Sequence, residues 1–123
     1  MARILVCDDD DKFSDLIVGY LEKAGHAVTR CADVSQLANL LGHEHMDLII
    51  TDIQMPGGGG PAAARLLQTL DNPDIPMLVV SGMPVEAQAK WFQDVKRVRF
   101  LQKPVAFEAL RRNVEELLAP PPQ

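Results

Sequence analysis

Two rhythms of apolar positions alternate along the chain. Ile4-Leu5-Val6-Cys7, Leu48-Ile49-Ile50 and Met77-Leu78-Val79-Val80 are unbroken aliphatic runs, the pattern of strands buried on both faces. His26 to Cys31 and Val98 to Gln102 mix apolar with polar residues and read as strands exposed on one side. Between the strands the period lengthens to that of a helix. Phe13, Leu16, Ile17, Tyr20, Leu21 and Ala24 form one amphipathic stripe, stopped by Gly25. Val34, Leu37, Ala38 and Leu41 form the next, opened by Asp33 with Gln36 in capping-box spacing and closed by Gly42. A third helix opens near Pro61 with Ala63, Leu66, Leu67 and Leu70 inward, and Pro73 and Pro76 close that unit. A fourth, less regular, runs from about Pro84 to Val95 and holds the single tryptophan, Trp91, beside Phe92. Phe107, Leu110, Val114, Leu117 and Leu118 define a last helix.

Strict strand-helix alternation predicts an α/β fold, a parallel sheet with helices on both faces. The continuous runs belong in the middle of that sheet and the polar-bearing strands, two and five, at its edges. The arrangement that satisfies both is the doubly wound, flavodoxin-like order 2-1-3-4-5, whose ligand crevice lies outside the carboxyl ends of strands one and three.

A chain of 123 residues, 47% hydrophobic and 24% charged, fits one domain, here residues 1–119, with Pro120 to Gln123 as a proline-rich tail or the start of a linker. The net charge of −5 and the lack of a basic stripe argue against direct contact with nucleic acid. No apolar run is long enough to cross a bilayer, and the first strand meets acid too early for a signal peptide. Cys7 and Cys31 stand at strand ends without disulfide-framework or metal spacing and read as small reduced core residues of a cytoplasmic protein. His43-Glu44-His45 reads as an exposed loop, because a His-x-His pair without further ligands does not close a metal site.

The predicted crevice collects the chemistry. Asp8 and Asp9 follow strand one, Asp52 closes strand three ahead of Met55-Pro56 and four glycines, Ser81-Gly82 ends strand four, and Lys103-Pro104 ends strand five. Three carboxylates that converge repel one another, an arrangement that usually holds a hard cation. Oxygen ligands alone favour Mg²⁺, with Mn²⁺ the near alternative, and Mg²⁺ shares its shell readily with phosphate. Together with the Ser81 hydroxyl and the Lys103 ammonium, this set spreads and neutralises the charge of a phosphoryl group in transfer. Each residue also has a plain reading as a turn, capping or surface residue; their closing four parallel strands on one edge outweighs it.

In this order and spacing the motifs resemble the receiver domain of two-component response regulators, over Arg3 to about Leu118. The resemblance implies a CheY-like fold and a cytoplasmic phosphorelay switch that catalyses only its own phosphorylation and dephosphorylation. It implies Asp52 as phosphoacceptor, taking a phosphoryl group from a histidine kinase or histidine phosphotransfer protein. Asp8, Asp9, Asp52 and the Gln54 backbone carbonyl would hold Mg²⁺, and Lys103 would pair with the phosphate ahead of a cis Pro104. Ser81 would bind the phosphoryl oxygens and move, letting an aromatic at Phe100 refill the space and so changing the surface of the fourth helix, fifth strand and last helix. Gln54 and Met83 stand where the family tunes dephosphorylation, and apolar Met83 implies a long-lived phosphoryl group. The output protein or domain is not implied, and a phosphorylation-dependent homodimer is one form it could take.

This chain departs from the family pattern at several positions. Gly57 to Gly60 make an unusually permissive loop where the family often has an acid near Gly59. Phe100 replaces the commoner tyrosine. Lys96-Arg97 and Val98-Arg99 replace small and acidic residues of one DNA-binding branch, which puts that branch's dimer face in question. Two other classes remain open: a metal-dependent phosphohydrolase, opposed by the missing second acid in Asp52-Ile53-Gln54, and a constitutive interaction module, opposed by the intact Asp9, Asp52, Ser81 and Lys103.

Overall fold

The computed structural model describes residues 2–54, 62, 65, 66, 75–93 and 97–119. Its elements run β1 (Arg3–Cys7), α1 (Asp11–Lys23), β2 (Ala27–Cys31), α2 (Val34–His43), β3 (Leu48–Thr51), β4 (Met77–Ser81), α3 (Val85–Lys90), β5 (Val98–Gln102) and α4 (Phe107–Leu118). All strand pairs are parallel, in the order β2-β1-β3-β4-β5 that the burial pattern predicts. Of the helix expected to open near Pro61, Ala62, Arg65 and Leu66 are described, all three helical, with Leu66 packed on the core; the glycine run Gly57 to Gly60 and the tail from Pro120 lie outside the described residues.

Strand alternation divides the core into two layers. Ile4, Val6, Leu48, Ile50, Leu78 and Val80 point to the face covered by Ile17 and Leu21 of α1 and by Leu110, Val114 and Leu117 of α4. Leu5, Cys7, Ile49, Met77 and Val79 point to the other face, against Leu37 of α2 and Phe92. Because successive side chains change sides, a strand buried on both faces reads as a near-continuous apolar run, and β3 and β4 are buried throughout and polar only at their last residues, Thr51 and Ser81.

The local signals act as the sequence indicates, with informative differences. Asp10 caps α1 by accepting from Phe13 N at 3.2 Å, so the helix starts two residues ahead of its apolar stripe. Gly25, at φ 93°, takes the left-handed turn that ends it. Asp33 accepts from Gln36 N at 2.8 Å, whereas the Gln36 side chain accepts from Ala32 N rather than from the cap's own N–H. α3 is shorter than its pattern implies, because Trp91 N and Phe92 N bond back only three residues, to Gln88 and Ala89. Phe92 is core and Trp91 is part-exposed. α2 runs past Gly42 to His43, whose Nδ1 meets Asn39 O, and His45 meets Asp47 in the loop beyond, so the His-x-His pair stays exposed.

The two cysteines are a correction. They are joined as a disulfide, not held as separate thiols. The cause is register: β1 and β2 pair so that Cys7 stands opposite Cys31, with Cα atoms 4.6 Å apart, a juxtaposition that spacing along the chain does not reveal. No helix among the described residues is long and apolar enough to cross a membrane.

Replacing the α2 cap, Asp33→Ala, should lower unfolding stability by about 1 kcal/mol, measured by chemical denaturation, because the Gln36 N–H loses its only capping acceptor.

Candidate functional site

The sheet's ladder continues one residue past β1, β3 and β5 and aims the loops that follow. Asp8 N donates to Cys31 O at 3.1 Å, Asp52 N to Cys7 O at 3.0 Å and Lys103 N to Ser81 O at 2.8 Å. The first residue of each loop is therefore fixed by a backbone bond before its side chain makes any contact. Asp8 and Asp52 are both only 4% exposed, and Ser81 is fully buried.

Lys103 joins the carboxylates. Its Nζ lies 2.9 Å from Asp8 Oδ2 and 3.1 Å from Asp52 Oδ2, and sits 4.6 Å above the Phe13 ring. The Lys103–Pro104 bond is cis. Asp52 Oδ1 accepts from Gln54 N at 2.8 Å and Asp8 Oδ1 from Asp10 N at 2.9 Å, which orients both carboxylates. Ligand oxygens of Asp8, Asp9 and Asp52 all lie within 4.8 Å of one another. Three carboxylates thus face one ammonium, an imbalance that a divalent cation would offset. Asp8 Oδ2 is buried, with that ammonium as its ion-pair partner. The donor set, all oxygen, fits a hard cation.

Burial raises the Asp8 pKa above the ordinary carboxylate range; the Asp10 N–H and Lys103 oppose the rise and the Asp52 charge adds to it. Burial works against the Lys103 ammonium, but Asp8 and Asp52 together outweigh it and raise its pKa. Lys103 accordingly stays cationic wherever the carboxylates are charged.

The Ser81 hydroxyl donates to Gln54 Oε1 at 3.1 Å and accepts from Met83 N at 3.4 Å. Gln54 therefore spans the loops after β3 and β4. Phe100, half-buried, packs on Phe92 with ring centroids 5.9 Å apart, in the core layer below the loops. Sequence reasoning missed Phe13 beneath the ammonium, whose apolar periodicity suggests only core, and it missed Gln88, a fully buried amide on α3.

A family model described as the response regulator receiver domain matches residues 4–115. The chain belongs to that family. It is 32% identical over 120 residues to protein PilH of Pseudomonas aeruginosa, covering 97% of this chain and 99% of PilH. It is 30% identical over 118 residues to the response regulator receiver protein CpdR of Brucella abortus, covering 96% of this chain and 98% of CpdR. Its fold superposes, with a TM-score of 0.82 at 21% identity, on the receiver domain of a sensor histidine kinase from Pseudomonas aeruginosa that has a magnesium ion coordinated in its active-site cleft; the match covers 95% of this chain and 97% of that one. The chain is a receiver domain of two-component signalling, a regulatory unit with the CheY-like fold.

The raised Asp8 pKa sets a sign. A carboxyl whose folded pKa exceeds its unfolded one favours folding when protonated and opposes it progressively as pH rises from the ordinary carboxylate value through the raised one. Asp8→Asn should therefore raise unfolding stability at neutral pH. The gain should shrink as the pH falls into the acid range, which denaturation at several pH values measures.

Proposed function

We propose that this receiver domain is a phosphoacceptor switch that takes a phosphoryl group onto Asp52 from a histidine kinase or histidine phosphotransfer protein. The observation that carries the reading is the Lys103 ammonium bridging two buried carboxylates, with Asp9 within coordination reach of both. Asp8, Asp9 and Asp52, with the Gln54 backbone carbonyl, would hold Mg²⁺, or Mn²⁺ in its place. When bound, such an ion supplies charge neutralisation for incoming phosphoryl oxygens.

An Asp52 carboxylate oxygen forms the new P–O bond as the P–N bond to the donor's imidazole breaks, and the imidazole picks up a proton. The acyl phosphate brings new negative charge to the place where Asp52 Oδ2 faces Lys103. Lys103, cationic through the neutral range, follows that charge outward to the phosphoryl oxygens. Ser81 must exchange Gln54 Oε1 for a phosphoryl oxygen, a stronger acceptor because it is charged. Its departure from the resting position changes the packing beneath the β4 loop, where Phe100 responds on the surface of α3, β5 and α4. Water later attacks phosphorus, the P–O bond to Asp52 breaks, and inorganic phosphate and the carboxylate are restored.

The output protein or domain is reached through that surface. Arg99 is engaged within its own chain, by Glu116 and Asn113 of α4, which disfavours a homodimer that needs Arg99 to bridge two copies. We place the switch in the cytoplasm, on the ATP side of a histidine kinase. The Cys7–Cys31 bridge is uncommon in a reducing compartment, and cell fractionation with immediate thiol blocking tests both statements together.

Acetyl phosphate with Mg²⁺ should add the mass of one phosphoryl group to the intact protein. Asp52→Asn or chelation of the metal should abolish that addition without loss of fold. Labelling that survives Asp52→Asn would sink the assignment.

Apolar Met83 offers no group to orient the attacking water, so the acyl phosphate should outlast seconds at neutral pH. Decay within seconds, followed by intact mass after removal of the donor, would contradict this.

A further inference from the structure

Gln88 is a fully buried polar side chain in the middle of α3, and it faces the loop that carries Ser81. Its Nε2 donates to Met83 O at 2.8 Å and to Leu101 O at 3.0 Å, with Ser81 O at 3.5 Å as a third acceptor. Two N–H groups are thus shared among three carbonyls. Its Oε1 is buried with no donor. Turning the amide over would set that oxygen against all three carbonyls, so the surroundings dictate its orientation.

A buried amide left half satisfied is a poor way to fill a core, since an apolar side chain of the same size would leave no unpaired oxygen. The bonds it does make have a common feature. Ser81 O and Met83 O belong to the segment whose Ser81 hydroxyl holds Gln54, and Leu101 O is the carbonyl next in chain to Phe100. Gln88 is therefore a direct side-chain link between the loop at the carboxylate site and the strand that carries Phe100.

We propose that Gln88 is a positioning residue that transmits phosphoryl occupancy at Asp52 from the Ser81–Met83 segment to Phe100. The inference rests on the phosphoacceptor reading above. When Ser81 leaves Gln54 for a phosphoryl oxygen, the carbonyls of Ser81 and Met83 move with its backbone. The amide must then redivide its two N–H groups, and the change is felt at Leu101 O. Phe100, adjacent and packed on Phe92, shifts in step because the link is short and enclosed by core.

Beryllofluoride with Mg²⁺, added to the isotope-labelled full chain, tests this by NMR at the amides of Gly82 and Phe100. In the wild type both signals should move together to saturation. Gln88→Met and Gln88→Leu keep the volume and remove the donors. In either, Gly82 should still move fully and at similar beryllofluoride affinity, while the Phe100 shift falls to roughly half or less. An unchanged Phe100 shift in both variants would make Gln88 a passive filler and overturn the proposal. Loss of both responses together, or failure of both variants to fold, would show a purely structural role and overturn it too. If the wild type shows no response at either amide, the phosphoacceptor reading itself fails.

Discussion

One ammonium holds the working edge of the molecule together. Lys103 Nζ lies about equally close to Asp8 and Asp52, carboxylates delivered by two neighbouring strands. At these separations each attraction is about 5 kcal/mol for an effective dielectric of about 20. Removing each ion from water costs several kcal/mol. The two quantities oppose each other, so the cluster's net contribution to stability is far smaller than the attractions alone, while loss of any one partner would leave a buried charge uncompensated. The raised Asp8 pKa is the same balance seen from one member: burial of its charge outweighs the help that Lys103 and the Asp10 N–H supply.

Placement of those groups follows from the sheet. Parallel strands put all their carboxyl ends on one edge, and the ladder bonds at Asp8, Asp52 and Lys103 extend the sheet's order into the loops. No loop has to find its position independently. The buried strands therefore do more than stabilise: their apolar continuity makes the ends of β1 and β3 neighbours, and their adjacency brings like charges together against repulsion. The Cys7–Cys31 bridge ties β1 to β2 immediately before Asp8 leaves the sheet, at the carbonyl that accepts its N–H.

Much of this was legible in the sequence for an identifiable reason. Strand order could be read because burial on both faces demands unbroken apolar runs, which Leu48 to Ile50 and Met77 to Val80 supply. The meeting of Asp8, Asp9, Asp52 and Lys103 could be read because strand ends in a doubly wound sheet have only one edge to share. What escaped depends on register and on side-chain reach. Cys7 and Cys31 meet because of one alignment of β1 against β2, which their separation of 24 residues does not encode. Gln54 reaches Ser81 through a long, flexible side chain on an exposed loop residue. Gln88 gave no signal because a polar residue amid a short, irregular helix reads as surface, while its amide is engaged by carbonyls of the preceding loop at Met83 and of the next strand at Leu101.

The aromatic position shows why the enclosed amide matters in this chain. A tyrosine at position 100 would carry a hydroxyl able to report its position by hydrogen bonding outside the core. Phe100 has none, so the free energy separating its positions must come from packing, here against Phe92, and from the backbone that carries it. Packing alone is insensitive to charge, and the phosphoryl group proposed at Asp52 would act through charge. Some element must convert one into the other. The carbonyls of Ser81, Met83 and Leu101 are dipoles, and the Gln88 amide is the group that all three share. In the proposed relay, electrostatic change at the carboxylates would reach an apolar side chain through a redistribution of hydrogen bonds inside the core. There the low dielectric makes each such bond stronger than it would be at the surface.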